Sequence, residues 1–349
     1  MSKAKKIKTA VAVILSIAVF LLVFFLLQRL VTPKYASGIV EGGFVREYYD
    51  DAPDHDVIFI GDCEVYENFS PVTLWEEYGI NSYIRGSAEQ YIFQSYYLLE
   101  DTLLYEKPKA VVFNIQSLQF SSSRSEAYNR MTIDGMKWSK YKVGAINASM
   151  TEEENMIEYI FPILRYHSRI TELEADDFRY LFSNKKVSHN GYYMRVDVRP
   201  VGAIPSVKPL PDYSFGDEAW DYLDKIADAC LREGVQLVLI KAPSLFPHWY
   251  DEWDAQVKEY AAKRELPYYN MIELAEEIGI DYSTDTYDGG LHMNLSGAEK
   301  CARWIGKILQ NDYSLEDRKG ESELAASWEV KIADYEKEIE EQKKKYNIE

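Results

Sequence analysis

The sequence is short of cysteine, of histidine and of positive charge, and each shortage narrows what the chain can do. Its three cysteines, Cys63, Cys230 and Cys301, are far apart with no C-x-x-C pair. Neither a disulfide scaffold nor a cysteine-based metal or redox site is therefore expected. Cys230 (A-D-A-C-L-R) and Cys301 (A-E-K-C-A-R-W) lie in helix-like runs and read as core packing. With 39 Lys and Arg against 57 Asp and Glu, the formal net charge is −18. Binding nucleic acid needs clustered cations, so nucleic acid is excluded as a partner. Aromatic residues are plentiful instead: 28 Tyr and 7 Trp suit carbohydrate or amphipathic surfaces as well as an ordinary core. The chain of 349 residues, 47% hydrophobic, has room for one large domain or two small ones.

Charge is wholly missing from one run, Thr9–Gln28, which is nearly all Val, Ile, Leu, Ala and Phe. As a helix rising about 1.5 Å per residue it spans roughly 30 Å, the thickness of a bilayer core. We read a transmembrane helix over 9–31, with 1–8 as its cytoplasmic N-terminus. Lys3, Lys5, Lys6 and Lys8 precede the run and only Arg29 and Lys34 closely follow it, which by the positive-inside rule puts everything after it outside the cell. The alternative is a cleaved signal peptide, but the run is long for one and no A-x-A site follows. The acidic bulk suits a single-pass cell-membrane protein with a solvated extracellular domain.

After a Pro/Gly-containing connector at 32–53, alternating strand and helix patterns fill 54–312. Val57–Ile60, Ile80–Ile84, Ala110–Phe113, Gln236–Ile240 and Pro267–Asn270 read as strands, with helical patterns between them. Such a rhythm implies right-handed crossovers and a parallel sheet of about five strands with helices on both faces. Residues 121–216 interrupt it and read as an inserted cap over the sheet edge, helical through Thr151–Leu181. The tail at 313–349 is dense in Glu and Lys, with Leu324, Trp328, Ile332, Tyr335 and Ile339 at helical spacing. This charged amphipathic helix is expected to dock on its own domain, with a partner helix as the alternative.

Two motifs carry chemistry. Val57–Ile60 runs into Gly61-Asp62-Cys63, which puts Cys63 at the carboxyl end of a strand, the edge where open α/β sheets bind ligands. A helix starting there is expected to lower the thiol pKa. Near the other end, Tyr287–Gly297 (Y-D-G-G-L-H-M-N-L-S-G) brings an acid and a histidine together. Cys63 as nucleophile, His292 as general base and Asp288 as its orienting acid form one workable triad order, with Asp285 in reserve. Of the other histidines, His55 precedes its strand, and His189 and His248 sit in polar loops. Asn294 reads as a loop-fixing residue. Lys241 and Ser244 follow the fourth strand and His167 sits in the insertion; all three are candidates for substrate contact. The His292 loop lacks the ligands a catalytic zinc needs, and no cofactor is expected.

G-D-C and D-G-G-L-H resemble the G-D-S and D-x-x-H blocks of the SGNH/GDSL hydrolase superfamily. The membrane anchor followed by such a domain looks like the extracytoplasmic O-acylation proteins of the DltD-like and AlgX/AlgJ-like groups. The resemblance covers about Asp56–Leu309 in layout, and a few short motifs carry it. Cys63 stands for the family's Ser, Asp288 lies four residues before His292 rather than three, and Asn114 precedes Ile-Gln rather than Asp. The resemblance implies a three-layer flavodoxin-like domain, and Gly86 and Asn114 as an oxyanion hole. It implies acyl transfer or ester hydrolysis on an envelope polysaccharide or polyol polymer through a thioester, and a membrane-bound O-acyltransferase as partner. A catalytically silent binding or assembly subunit is the alternative.

Overall fold

Val57–Gly61 (β1) lies at the heart of a five-stranded sheet ordered β2-β1-β3-β4-β5, in a computed structural model that describes residues 3–34, 43–120, 122–204 and 207–348. Its neighbours are Ser82–Gly86 (β2) and Ala110–Asn114 (β3), followed outward by Gln236–Lys241 (β4) and Tyr268–Asn270 (β5). Every pairing is parallel. All five strands lie where the sequence places them, although β2 runs from Ser82 rather than Ile80 and β5 from Tyr268 rather than Pro267. β1 turns to β2 on one side while β3 and later strands extend the other, so the order reverses between β1 and β3. At such a switch point the crossovers leave in opposite directions and open a crevice at the carboxyl edge.

Successive side chains of a strand face opposite ways, and β1 is buried on both faces. Val57 and Phe59 pack with Pro71–Tyr78 (α4) and Leu295–Asp312 (α14), while Ile58 and Ile60 pack with Ile92–Thr102 (α5), Asp217–Glu233 (α11) and Asp251–Arg264 (α12). This explains the unbroken apolar run, since a strand covered on both faces has no polar side to alternate. Cys230 and Cys301 are buried in α11 and α14.

Lys3–Val31 forms the first helix (α1), long and apolar enough to cross a membrane. Part of the 32–53 connector, 35–42, lies outside the described residues. The remainder of the connector is no loose tether: Phe44 and Val45, in the short helix Phe44–Glu47, and Tyr48 are buried. Apolar side chains there gain more by joining the core than a solvated linker would.

The insertion divides in two. Glu126–Ile133 (α6) and Lys140–Ser149 (α7) pack beside α5. The expected helix over Thr151–Leu181 is instead a set of short turns, Met156–Ile160, Ile163–Tyr166 and Ala175–Arg179, broken at Pro162 and packed against α1. Residues 187–201 cross the carboxyl end of the sheet, and α6 reaches the same edge through Thr132, which is hydrogen-bonded to Ser87 just after β2. Asn190 accepts from Ile84 N at 2.9 Å and donates to Ser82 O at 3.1 Å, Tyr193 N donates to Tyr66 O at 2.7 Å, and Arg199 N donates to Thr286 O at 2.8 Å. This strap covers the exposed hydrogen-bonding edge of β2.

The tail helix, Ser322–Tyr346 (α15), docks on its own domain. Trp328 is fully buried, stacks on Trp75 with ring centroids 5.3 Å apart and donates to Asn81 Oδ1 at 3.1 Å. Tyr335 shares a hydrogen bond with Ser70 at 3.1 Å. Farther along, Gln342 donates to Met194 O at 2.9 Å, clamping the strap from outside.

Candidate active site

The turn after β1 is built for close approach. A Cβ on Gly61 would lie 2.3 Å from Val65 Cγ2 and 3.0 Å from Asn114 Cβ, so glycine alone lets the one-turn helix Cys63–Tyr66 (α3) fold back on β1 and β3. Asp62 caps that helix, accepting from Glu64 N at 3.2 Å. Cys63, its first residue, is half-buried.

At the other end of the chain, Gly289 and Gly290 take positive φ (89° and 107°), a conformation side-chain-bearing residues rarely adopt. The turn they form brings His292 back to Asp288. The Asp288 carboxylate accepts from His292 N at 2.9 Å and Leu291 N at 3.2 Å, and lies 2.7 Å from His292 Nδ1. Asp285 is engaged elsewhere, paired with Lys300 at 2.6 Å. With Nδ1 on Asp288, His292 Nε2 is buried and has no hydrogen-bond partner among the described residues. An imidazole held this way presents Nε2 as a proton acceptor.

Contacts between the two motifs run through the residues just after Cys63. Asn68 Oδ1 accepts from Met293 N at 2.8 Å, and Asn68 Nδ2 donates to Ser244 Oγ at 2.9 Å. Glu67, one helical turn beyond Cys63, accepts from the Tyr287 hydroxyl and lies 3.6 Å from His292 Nδ1. Tyr287 stacks beside His292, and the Arg195 guanidinium lies over the Tyr287 ring at 4.4 Å. Asn68, Glu67 and Tyr287 were missed by sequence reasoning. Glu67 and Asn68 lie a few residues after Cys63, but nothing in their spacing marks them; Tyr287 reads only as the start of the His292 loop.

The electrostatics overturn one expectation. Burial, and then the carboxylates of Asp62, Glu67 and Glu64, push the Cys63 thiol well above its ordinary pKa. A four-residue helix has too small a dipole to oppose them. At His292, burial works against the charged ring, but the Asp288 hydrogen bond and the nearby Glu67 outweigh it and raise the pKa. Asp288 is held below the usual range: burial would raise it, but the hydrogen bonds from His292 prevail. The site therefore disfavours a resting thiolate and favours an imidazolium once a proton arrives.

Several other candidates take structural roles. Both Asn114 amide hydrogens are engaged, with Asp62 Oδ1 at 3.3 Å and Glu64 Oε2 at 3.0 Å, while its Oδ1 accepts from Ala242 N at 3.1 Å. That amide is thus not open to an oxyanion. Gly86 is packed close, since a Cβ there would sit 3.0 Å from Gly61 O and 3.2 Å from Tyr66. Lys241 is fully buried on Glu64 at 2.8 Å and on the Ala242 and Ser244 carbonyls, so it does not present its charge to an acceptor. Ser244 is likewise buried. Asn294 caps α14 and donates to the Thr284 and Asp197 carbonyls, fixing the His292 loop. His167 is exposed, bonded to Leu164 O in the turns against α1. His55 is buried at the amino end of β1 with Glu106, and His189 pairs with Glu338. Among the described residues no three His, Cys, Asp or Glu side chains are grouped to hold a metal ion.

The sequence matches no protein-family model and no curated protein.

Proposed function

We propose that this chain is a membrane-anchored, extracytoplasmic acyltransferase or esterase of the SGNH/GDSL type. It would act on O-acyl groups of an envelope polysaccharide or polyol polymer, with Cys63 as nucleophile, His292 as base and Asp288 as its orienting acid. The observation that carries this reading is His292: Nδ1 on Asp288, Nε2 buried and without a partner among the described residues, on a loop bonded to Asn68 just beyond Cys63. The strand order 2-1-3-4-5 is that of flavodoxin-like folds, and Cys63 follows β1 at their switch point. Supporting the anchor, α1 has the length and apolarity to span a bilayer.

In this reading the thiol is neutral at rest. As Sγ attacks the acyl carbonyl carbon, its proton passes to His292 Nε2 and an S–C bond forms. The donor's C–O bond then breaks, and the leaving oxygen takes the proton from His292. An acceptor hydroxyl next gives its proton to His292 as its oxygen attacks the thioester, releasing the acylated product and returning the proton to sulfur. Water in place of the hydroxyl makes the same cycle a hydrolysis. Three carboxylates around the thiol oppose a thiolate but stabilise the imidazolium, so base-assisted attack suits the site better than a preformed ion pair. A membrane-bound O-acyltransferase is the donor-side partner that the resemblance implies.

A second reading, a catalytically silent binding or assembly subunit, is favoured by one observation: the Asn114 amide is fully engaged. Replacing Cys63 by Ala in the native membrane separates the two. Loss of polymer acylation supports catalysis, and unchanged acylation supports the silent subunit.

A further inference from the structure

The turns beside α1 leave large apolar side chains in the open where the helix meets the domain. Phe161 meets Phe24 of α1 edge to face, with ring centroids 6.0 Å apart, and is itself exposed, as are Ile157, Leu164 and Ile170. Phe178 and Phe182 are 59% and 73% exposed. A soluble surface seldom concentrates side chains of this size in so short a stretch. Hydrogen bonds fix this stretch to the end of the helix: Arg29 Nε donates to Leu181 O at 2.5 Å, and Arg169 Nη1 to Val31 O at 2.7 Å.

Between the helix end and α7 lies a cavity of about 280 Å³. Four cations line it, Arg29, Lys34, Arg46 and Lys142, with one carboxylate, Asp134, and that carboxylate is shared with Arg130 at 3.4 Å. Lys142 is only 5% exposed, and Met136 O at 3.0 Å is its one hydrogen-bond acceptor among the described residues. The Arg46 guanidinium makes no hydrogen bond or ion pair among them. Gln28 Oε1 is also buried there without a partner among the described residues. Burial lowers the pKa of both Lys34 and Lys142 to about 8, against the pull of Asp177 on Lys34 and of Asp134 on Lys142, with the neighbouring cations adding to the lowering. Burying cations in excess of the carboxylates around them among the described residues is costly, and an anionic ligand lowers that cost.

We propose that this cavity binds the phosphate of an anionic phospholipid in the leaflet from which α1 emerges, with the acyl chains lying along Phe161, Leu164 and the neighbouring apolar side chains. A single phospholipid satisfies both surfaces, because its phosphate sits at the headgroup level and its chains extend back along the membrane helix. Gln28 would accept a hydrogen bond from a headgroup hydroxyl or ammonium. The inference rests on α1 lying in a membrane and is independent of the chemistry at Cys63.

The test uses the full chain in phosphatidylcholine nanodiscs carrying a trace of spin-labelled phosphatidylglycerol or, in parallel, spin-labelled phosphatidylcholine. The expected result is a motionally restricted population richer in phosphatidylglycerol, with the preference falling about fivefold for each cation removed in Lys142→Gln and Arg46→Gln. Lys142→Arg and Arg46→Lys keep the charge and should keep the preference. Should the Gln variants fail to fold, the wild-type comparison still decides. Equal restriction of the two lipids overturns the proposal, and so does displacement of the labelled lipid by excess inorganic phosphate, which would mark a site for free anions.

Discussion

Asn68 accepts the backbone N–H of Met293 at 2.8 Å across 225 positions of chain, and its amide reaches Ser244 Oγ at 2.9 Å. One buried side chain thus bonds the turn after β1, the loop after β4 and the His292 loop together. Replacing it by Leu leaves the Met293 N–H and the Ser244 hydroxyl buried without their partner. Each buried polar group so orphaned costs about 1–3 kcal/mol. Asn68→Leu is therefore expected to lower the denaturant midpoint and, on the proposed function, to suppress acyl transfer even though Cys63 and His292 remain. Chemical unfolding and activity measured on the same preparation check this.

Glu64 and Lys241 form a fully buried pair at 2.8 Å. Lys241→Met strands the Glu64 carboxylate and is expected to destabilise the fold by about 3–5 kcal/mol, while replacing both partners with apolar residues recovers much of that loss. A double-mutant cycle by chemical denaturation measures it. Little effect from Lys241→Met alone would show that Lys241 is not the counterion that keeps Glu64 buried.

His292 titrates above its ordinary value of 6.5, because the Asp288 hydrogen bond and Glu67 outweigh burial. On the proposed mechanism its neutral form is the base, so the rate of enzyme acylation should rise with pH through a midpoint above 6.5. Asp288→Asn removes the main support for the charged ring and should move that midpoint down while slowing the reaction. The stability arising from the His292–Asp288 contact runs the opposite way. The folded state binds this proton more tightly, so the stabilisation is full below pH 6.5 and is lost as pH climbs through the raised folded value. Thermal unfolding of wild type against His292→Gln across that window should show the gap narrowing as pH increases.

Trp328 is fully buried against Trp75 and bonded to Asn81. Trp328→Ala is expected to cost about 3–5 kcal/mol and to loosen the strap that α15 clamps through Gln342. Hydrogen exchange should then quicken in 187–201 as well as in α15.

How much was legible in the sequence depends on the range of each interaction. Val57–Ile60 and Gly61 announced a doubly covered strand and its turn because the signal is local: an apolar run and a glycine. The stripe through Trp328 and Tyr335 was readable for the same reason, since helical spacing exposes a face that must be covered. Asp288 and His292 are four residues apart, within reach of a local reading. Glu67 and Tyr287 meet across 220 positions, and no spacing rule links them. Asn114 and Lys241 stand at strand ends where sequence alone points them at a ligand. Their actual partners, Asp62 and Glu64, flank Cys63, and only the folded register brings them together. The strap at 187–201 carries no regular periodicity, because its backbone bonds go to β2 and to loops rather than along a repeating ladder.

The most direct test of catalysis at Cys63 is mass spectrometry of the Cys63 peptide in protein taken from its native membrane, in wild type and in His292→Gln. The predicted result is an acyl group in thioester linkage on Cys63 of the wild type, removable by hydroxylamine and strongly reduced when His292 is replaced. An unmodified Cys63 in membranes that are actively acylating their polymer, with acylation persisting in Cys63→Ala, would contradict it.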